Sequence, residues 1–197
     1  MPLTEVTLVR KLDPRAPLVL DTRELGRRPG SQRTVSLTAE APAGLGIEIL
    51  GVPEGAPVRV DLRLEAVMEG VLATGTAEAE VEGECSRCLG PIEDTVQVDL
   101  QELYVYDDEG HHDHAESDDE DVRRLEGDLI DLEPALRDAV VLALPFQPLC
   151  RDDCPGLCAE CGERLDDDPG HRHDEPVDPR WAALSGLKTT VADETKE

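Results

Sequence analysis

Residues 58–68, VRVDLRLEAVM, alternate without a break: Val58, Val60, Leu62, Leu64, Ala66 and Met68 fall on one face, and Arg59, Asp61, Arg63, Glu65 and Val67 on the other. Successive side chains of a strand point to opposite sides, so a sustained period of two predicts one long strand with a single buried face. After the turn at Glu69 and Gly70 the alternation resumes in VLATGTAEAEVEGE, with Val71, Ala73, Gly75, Ala77, Ala79 and Val81 opposed to Thr74, Thr76, Glu78, Glu80 and Glu82. A third run, DTVQVDLQELYVY, sets Val96, Val98 and Leu100 on one face. Three such runs joined by short connections predict an antiparallel meander whose second connection is CSRCLGP. TEVTLV and RTVSLTAE read as earlier strands, and the Gly- and Pro-rich APAGLGIEILGVPEGAP joins them to the meander.

The core of this sheet has to be aliphatic. Only 2% of the residues are aromatic (Trp181, Tyr104, Tyr106 and Phe146), which removes the stacking platform on which single-strand binding proteins hold bases. A net charge of -26 repels phosphate, because nucleic-acid affinity comes largely from Lys and Arg releasing counterions. Basic residues gather near the start of the chain, where Arg23, Arg27, Arg28 and Arg33 are the candidates for a local RNA contact. No segment is long and apolar enough for a signal peptide or a membrane span, so the expected location is the cytoplasm.

The run DDEGHHDHAESDDED contains nine acidic residues and neither Lys nor Arg, the composition of a solvated, disordered loop. Its His111, His112 and His114 are read as part of that loop rather than as a metal site, since ordering so polar a segment costs entropy. DLEPALRDAVVLALP then predicts a helix over about residues 131–144. Asp131 serves as its cap, Pro134 sits in its first turn, Leu132, Leu136, Val140 and Leu144 form one apolar stripe, and Pro145 is its stop. DPRWAALSGL signals a short last helix, with Asp178 as cap and Trp181 and Leu184 on one side.

Together these features predict an α+β protein, mainly antiparallel β: a curved sheet or partly open barrel with one packed helix and a zinc-knuckle-like C-terminal segment. The expected organisation is a β-rich domain over 1–106, an acidic disordered insert over 107–127, the helix, cysteine cluster and last helix packed on the same domain over 128–188, and a disordered tail over 189–197.

Four of the six cysteines, Cys150, Cys154, Cys158 and Cys161, lie in PLCRDDCPGLCAECGERL. In a reducing compartment, clustered cysteines point to metal or redox chemistry rather than disulfides. The spacing C-x3-C-x3-C-x2-C supplies four thiolates for a tetrahedral zinc ion, and Pro155, Gly156 and Gly162 supply the turns. Cys85 and Cys88, at a predicted hairpin tip, also have knuckle geometry. They leave a second arrangement open, in which they share a metal with two of the late cysteines. The compact set of four is favoured because near neighbours lose less loop-closure entropy. Nothing in the sequence suggests an electron-transfer partner for an iron–sulfur cluster, and Cys85 and Cys88 lie between strands rather than at the helix N-terminus that a thioredoxin-like thiol uses. Four thiolates fill a zinc shell and leave no position for reactive water, so the zinc is expected to be structural. His171 and His173 are read as polar-loop residues.

GECSRCLGPI at a hairpin, the acidic insert, IDLEPALRDAVVLALPFQPLCRDDCPGLCAECGERL and the closing DPRWAALSGL together resemble the YceD family, the large ribosomal RNA subunit accumulation proteins, over residues 12–187. The resemblance implies a noncatalytic ribosome-biogenesis factor needed for accumulation or processing of 23S ribosomal RNA. Ribosomal proteins or rRNA-processing factors are its expected partners. A zinc- or thiol-based regulatory or redox protein is the alternative that the six cysteines keep open.

Overall fold

The structure, a computed structural model, describes residues 11–106, 122–173 and 180. The chain divides into two units, Met1–Cys154 and Pro155–Glu197. The predicted strand TEVTLV, the acidic run 107–121, most of the predicted last helix and the tail fall outside the described residues.

The first unit contains the meander. Strands β5 (Pro57–Ala66), β6 (Gly70–Glu84) and β7 (Pro91–Val105) follow one another, and β2 (Gln32–Glu40) pairs antiparallel with β5. One edge of β6 is shared. Val71–Ala79 pair with β5 and Glu82–Gly83 with β4 (Leu50–Val52), which in turn pairs with β3 (Leu45–Ile47). Along its other edge β6 pairs with β7 over its whole length, from Gly70↔Val105 to Glu84↔Pro91. The strand order is β2-β5-β6-β4-β3, with β7 on β6, and among the described residues the sheet is not closed. A separate pair joins β1 (Val19–Asp21) to β8 (Leu129–Asp131).

The inward face is the one that the alternation marks. Val58, Val60, Leu62, Leu64, Ala66, Val71, Ala73, Ala77, Ala79, Val81, Val98 and Leu100 are buried, and each fully buried Val or Leu contributes about 1.5–3 kcal/mol. Met68 departs from the pattern and is exposed, because β5 ends at Ala66 and Met68 lies in the turn before β6. Gly75 belongs to this face for a steric reason: a Cβ there would stand 1.9 Å from the Asp61 carbonyl oxygen of the neighbouring strand.

The helix α1 (Glu133–Ala143) starts later than its sequence signature suggests. Asp131 is the last residue of β8 and Leu132 occupies the cap position, while the Asp131 carboxylate still accepts a hydrogen bond from the Glu133 N–H at 3.0 Å. Leu132, Leu136, Val140 and Leu144 are all buried, and α1 lies against β7 and β3. Arg137 anchors it to the β3 hairpin through the Ala43 (3.1 Å) and Gly44 carbonyls, and Arg123 bridges Glu102 on β7 (3.1 Å) to Asp138 on α1 (2.6 Å). Residues 122–127, assigned by composition to the acidic insert, form part of this scaffold: Leu125 is buried, and Arg124 pairs with Val105. Among the described residues no helix is long and apolar enough to cross a membrane.

Candidate metal centres

The β6–β7 hairpin tip is a knuckle. Cys85 donates its N–H to the Gly90 carbonyl (2.8 Å), and the Leu89 N–H turns back onto the Cys85 carbonyl (2.9 Å). Leu89 pays for this turn with φ 54°, a left-handed conformation that costs a side chain about 1–2 kcal/mol. In the C-terminal unit CAECG repeats the geometry. Gly162 donates to the Cys158 carbonyl at 2.9 Å with φ 77°. In both C-x-x-C segments the residue after the second cysteine is left-handed, which turns backbone N–H groups towards the first sulfur.

The chain after α1 returns to the first knuckle. Ser86 donates its N–H to the Pro148 carbonyl (2.9 Å), and the Arg87 guanidinium donates to the Cys154 carbonyl (3.0 Å). These contacts gather Cys85, Cys88, Cys150 and Cys154, whose sulfurs all lie within 4.8 Å of one another. Cys85 to Cys154 is 3.8 Å and Cys88 to Cys150 is 3.7 Å. A tetrahedron of sulfurs around zinc at about 2.3 Å has edges of about 3.8 Å. Cys85, Cys88 and Cys154 are buried beside Ile92 and Leu149, and Cys150 is exposed.

The second cluster, within the C-terminal unit, joins Cys158 and Cys161 to His171 and His173. The Nε2 atoms of His171 and His173 lie 3.2 and 3.3 Å from Cys161 Sγ and 2.8 Å from each other. The opposite ring nitrogens face carboxylates, His171 Nδ1 at 3.8 Å from Asp168 and His173 Nδ1 at 3.4 Å from Glu160.

One thiol in each cluster, the first of its C-x-x-C pair, is held low. Burial pushes the Cys85 thiol up, but the backbone N–H groups of Cys150, Cys88 and Arg87, with the Cys88 thiol, outweigh it and hold the group at about 6. The backbone N–H groups of Cys161 and Glu160 outweigh burial at Cys158 and, with the Cys161 and His171 side chains, also hold it at about 6. Cys150 moves the other way, to about 12, driven first by the Cys154 side chain and then by burial. The donor sets, with their ligand atoms within 4.8 Å of one another, fit zinc: four sulfurs in one, two sulfurs and two imidazoles in the other.

The compact set of Cys150, Cys154, Cys158 and Cys161 is therefore divided. Its first two members gather with Cys85 and Cys88, and its last two with His171 and His173. The two histidines, read from sequence as polar-loop residues, converge on a thiol instead. A count of donors carries the missed signal: six cysteines plus the HRH histidines make two tetrahedral sets, and each C-x-x-C knuckle requires two further ligands. His111, His112 and His114 lie outside the described residues. Of the candidate RNA-contacting arginines, Arg23 is held by Asp21 (2.9 Å), Arg33 by Glu24 (3.1 Å), and Arg27 by Asp128 (3.5 Å) over the Tyr106 ring. Arg28 is exposed.

Residues 73–188 match the family described as large ribosomal RNA subunit accumulation protein YceD. An uncharacterized protein of Mycobacterium tuberculosis is 48% identical over 86% of this chain and 80% of its own length. One from Mycobacterium leprae is 42% identical over 92% and 82%, and YlbN of Bacillus subtilis is 29% identical over 66% and 74%. No solved structure matches the chain. Among the described residues, an open, mostly antiparallel sheet with one helix and cysteine clusters able to hold metal is the class of protein that the fold and site define. The chain belongs to the YceD family, and that membership suggests a role in the accumulation of large-subunit ribosomal RNA.

Proposed function

We propose that this chain is a noncatalytic ribosome-biogenesis factor that supports accumulation or processing of 23S ribosomal RNA, with zinc as a structural element. The family match carries the reading. The site's chemistry supports the noncatalytic part: the cluster at the hairpin tip offers four donors, which fill a tetrahedral shell and leave no coordination position for substrate or water. When bound, zinc cross-links the donors, while the protein's own groups, the Leu89 turn and the Ser86 and Arg87 hydrogen bonds, hold the sulfurs at the spacing the metal requires.

Protein partners are favoured over bare RNA. The net charge of -26 repels phosphate, and Arg23, Arg27 and Arg33 are each in ion pairs. An acidic surface attracts basic ribosomal proteins by the same field. Depletion of the protein in cells tests the role: 23S ribosomal RNA is expected to fall relative to 16S, with precursors accumulating. Unchanged rRNA and precursor profiles would overturn the assignment. Cleavage of precursor RNA by purified protein, abolished by a cysteine variant, would overturn the noncatalytic part.

A further inference from the structure

Among the described residues of the C-terminal unit, the stretch 155–173 folds without an apolar core of its own. Between Pro155 and His173 no side chain is buried; Leu157 and Leu165 are half-buried, and the only buried residue is Gly156. Yet the segment folds back on itself at defined points. Cys158 donates to the Glu163 carbonyl (2.7 Å), Leu165 to Gly156 (3.1 Å) and His171 to Asp168 (3.0 Å), and Leu157 pairs with Arg164. A segment this short does not offset its conformational entropy with a few turns, and small domains lacking apolar burial are held by disulfides or metals. No disulfide is present here, since Cys158 and Cys161 are free.

At the centre of these turns four metal-binding atoms converge. The thiols of Cys158 and Cys161 and the Nε2 atoms of His171 and His173 lie within 4.8 Å of one another. Ideal edges around zinc are about 3.5 Å for sulfur to nitrogen and about 3.3 Å for nitrogen to nitrogen, so the observed cluster admits the ion by opening about 0.2–0.5 Å. The rings are oriented as ligands are, with Nε2 inward and Nδ1 facing Asp168 or Glu160. A carboxylate on the far nitrogen fixes the tautomer that leaves Nε2 free to coordinate.

We propose that Cys158, Cys161, His171 and His173 form a second zinc site in addition to the four-cysteine cluster, and that its ion serves as the core of residues 155–173, with Asp168 and Glu160 as positioning residues. Two thiolates and two neutral imidazoles neutralise one zinc ion, whereas four thiolates leave a net charge of about −2 on the other cluster. The second site is also the more open, with Cys161 and His173 exposed. It releases its ion to a chelator first.

The test counts metal on the full-length chain and is independent of the rRNA reading, which cell depletion addresses. Native mass spectrometry is expected to show one zinc ion for each of the two clusters, and His171→Ala with His173→Ala to lose one. One ion in both proteins, or no loss in the variant, would overturn the second site. Should the variant misfold, the wild-type chain stripped by chelator and titrated with zinc still decides. The Nε2 resonances of His171 and His173 are expected to shift in 15N NMR, and their failure to shift refutes the ligation. Hydrogen exchange over residues 155–173 is expected to slow on zinc addition, and unchanged exchange overturns the role of the ion as a core. Glu160→Gln with Asp168→Asn is expected to weaken zinc binding at this site by about 10–100-fold; an unaltered affinity removes the positioning role.

Discussion

Cys85 and Cys154 stand 69 positions apart in the chain and place their sulfurs 3.8 Å from each other. The hairpin tip and the segment after α1 thus meet at one point, and a metal there ties together the two ends of β7, β8 and α1. Replacing Cys85 and Cys88 by Ser is expected to remove one zinc ion per chain and lower the urea midpoint of the N-terminal unit, because structural metal binding is part of the folding free energy. Metal content and urea unfolding of the purified variant check this, and an unaltered zinc count would contradict the four-cysteine assignment.

Leu89 is exposed and left-handed. Glycine adopts that conformation freely, while losing more chain entropy on folding, by about 0.5–1 kcal/mol. The expected net effect of Leu89→Gly is a gain of up to about 1 kcal/mol with zinc content unchanged. Leu89→Val, which stiffens the backbone at the wrong φ, is expected to lose stability. Equilibrium unfolding of the two variants in parallel gives the sign.

Tyr104 is buried on β7 and donates its hydroxyl to the Asp131 carbonyl at 2.9 Å, linking β7 to β8 at the entrance to α1. Tyr104→Phe keeps the ring and removes the donor. The expected cost is about 1–2 kcal/mol, read as a lower urea midpoint at unchanged slope.

Gly75 faces the Asp61 carbonyl across β5 and β6. An alanine Cβ meets backbone rather than a movable side chain, so Gly75→Ala is expected to cost more than about 2 kcal/mol by forcing the central strands apart. Thermal unfolding measures it, and a wild-type melting point would show that the strands have room.

The long strands were legible because alternation has a single physical reading: β5, β6 and β7 lie where Val58–Ala66, Val71–Val81 and Val96–Leu100 alternate. The helix was legible from the stripe Leu132, Leu136, Val140 and Leu144. Its start was not, since Asp131 satisfies the same capping role while completing β8. The partition of the ligands was less accessible still. Loop-closure entropy favours neighbours, but the hairpin and the post-helix segment are brought together by sheet and helix packing, so Cys150 finds Cys88 through the fold rather than through local sequence. His171 and His173 were hidden by their polar surroundings, which are also the surroundings of a site without a core.

The pairing around Val105 separates the acidic run from the scaffold. Val105 donates to the Arg123 carbonyl at 2.9 Å and accepts from Leu125 at 3.0 Å, so the chain leaves this point at Tyr106 and is back beside it by Arg123. The seam at Val105 is thereby closed by residues on either side of the acidic run, and it fixes the register of the described strands there by backbone hydrogen bonds of its own. Joining Tyr106 to Val122 through a short glycine linker excises nine negative charges without opening the sheet, which makes charge and architecture separable variables in a single molecule.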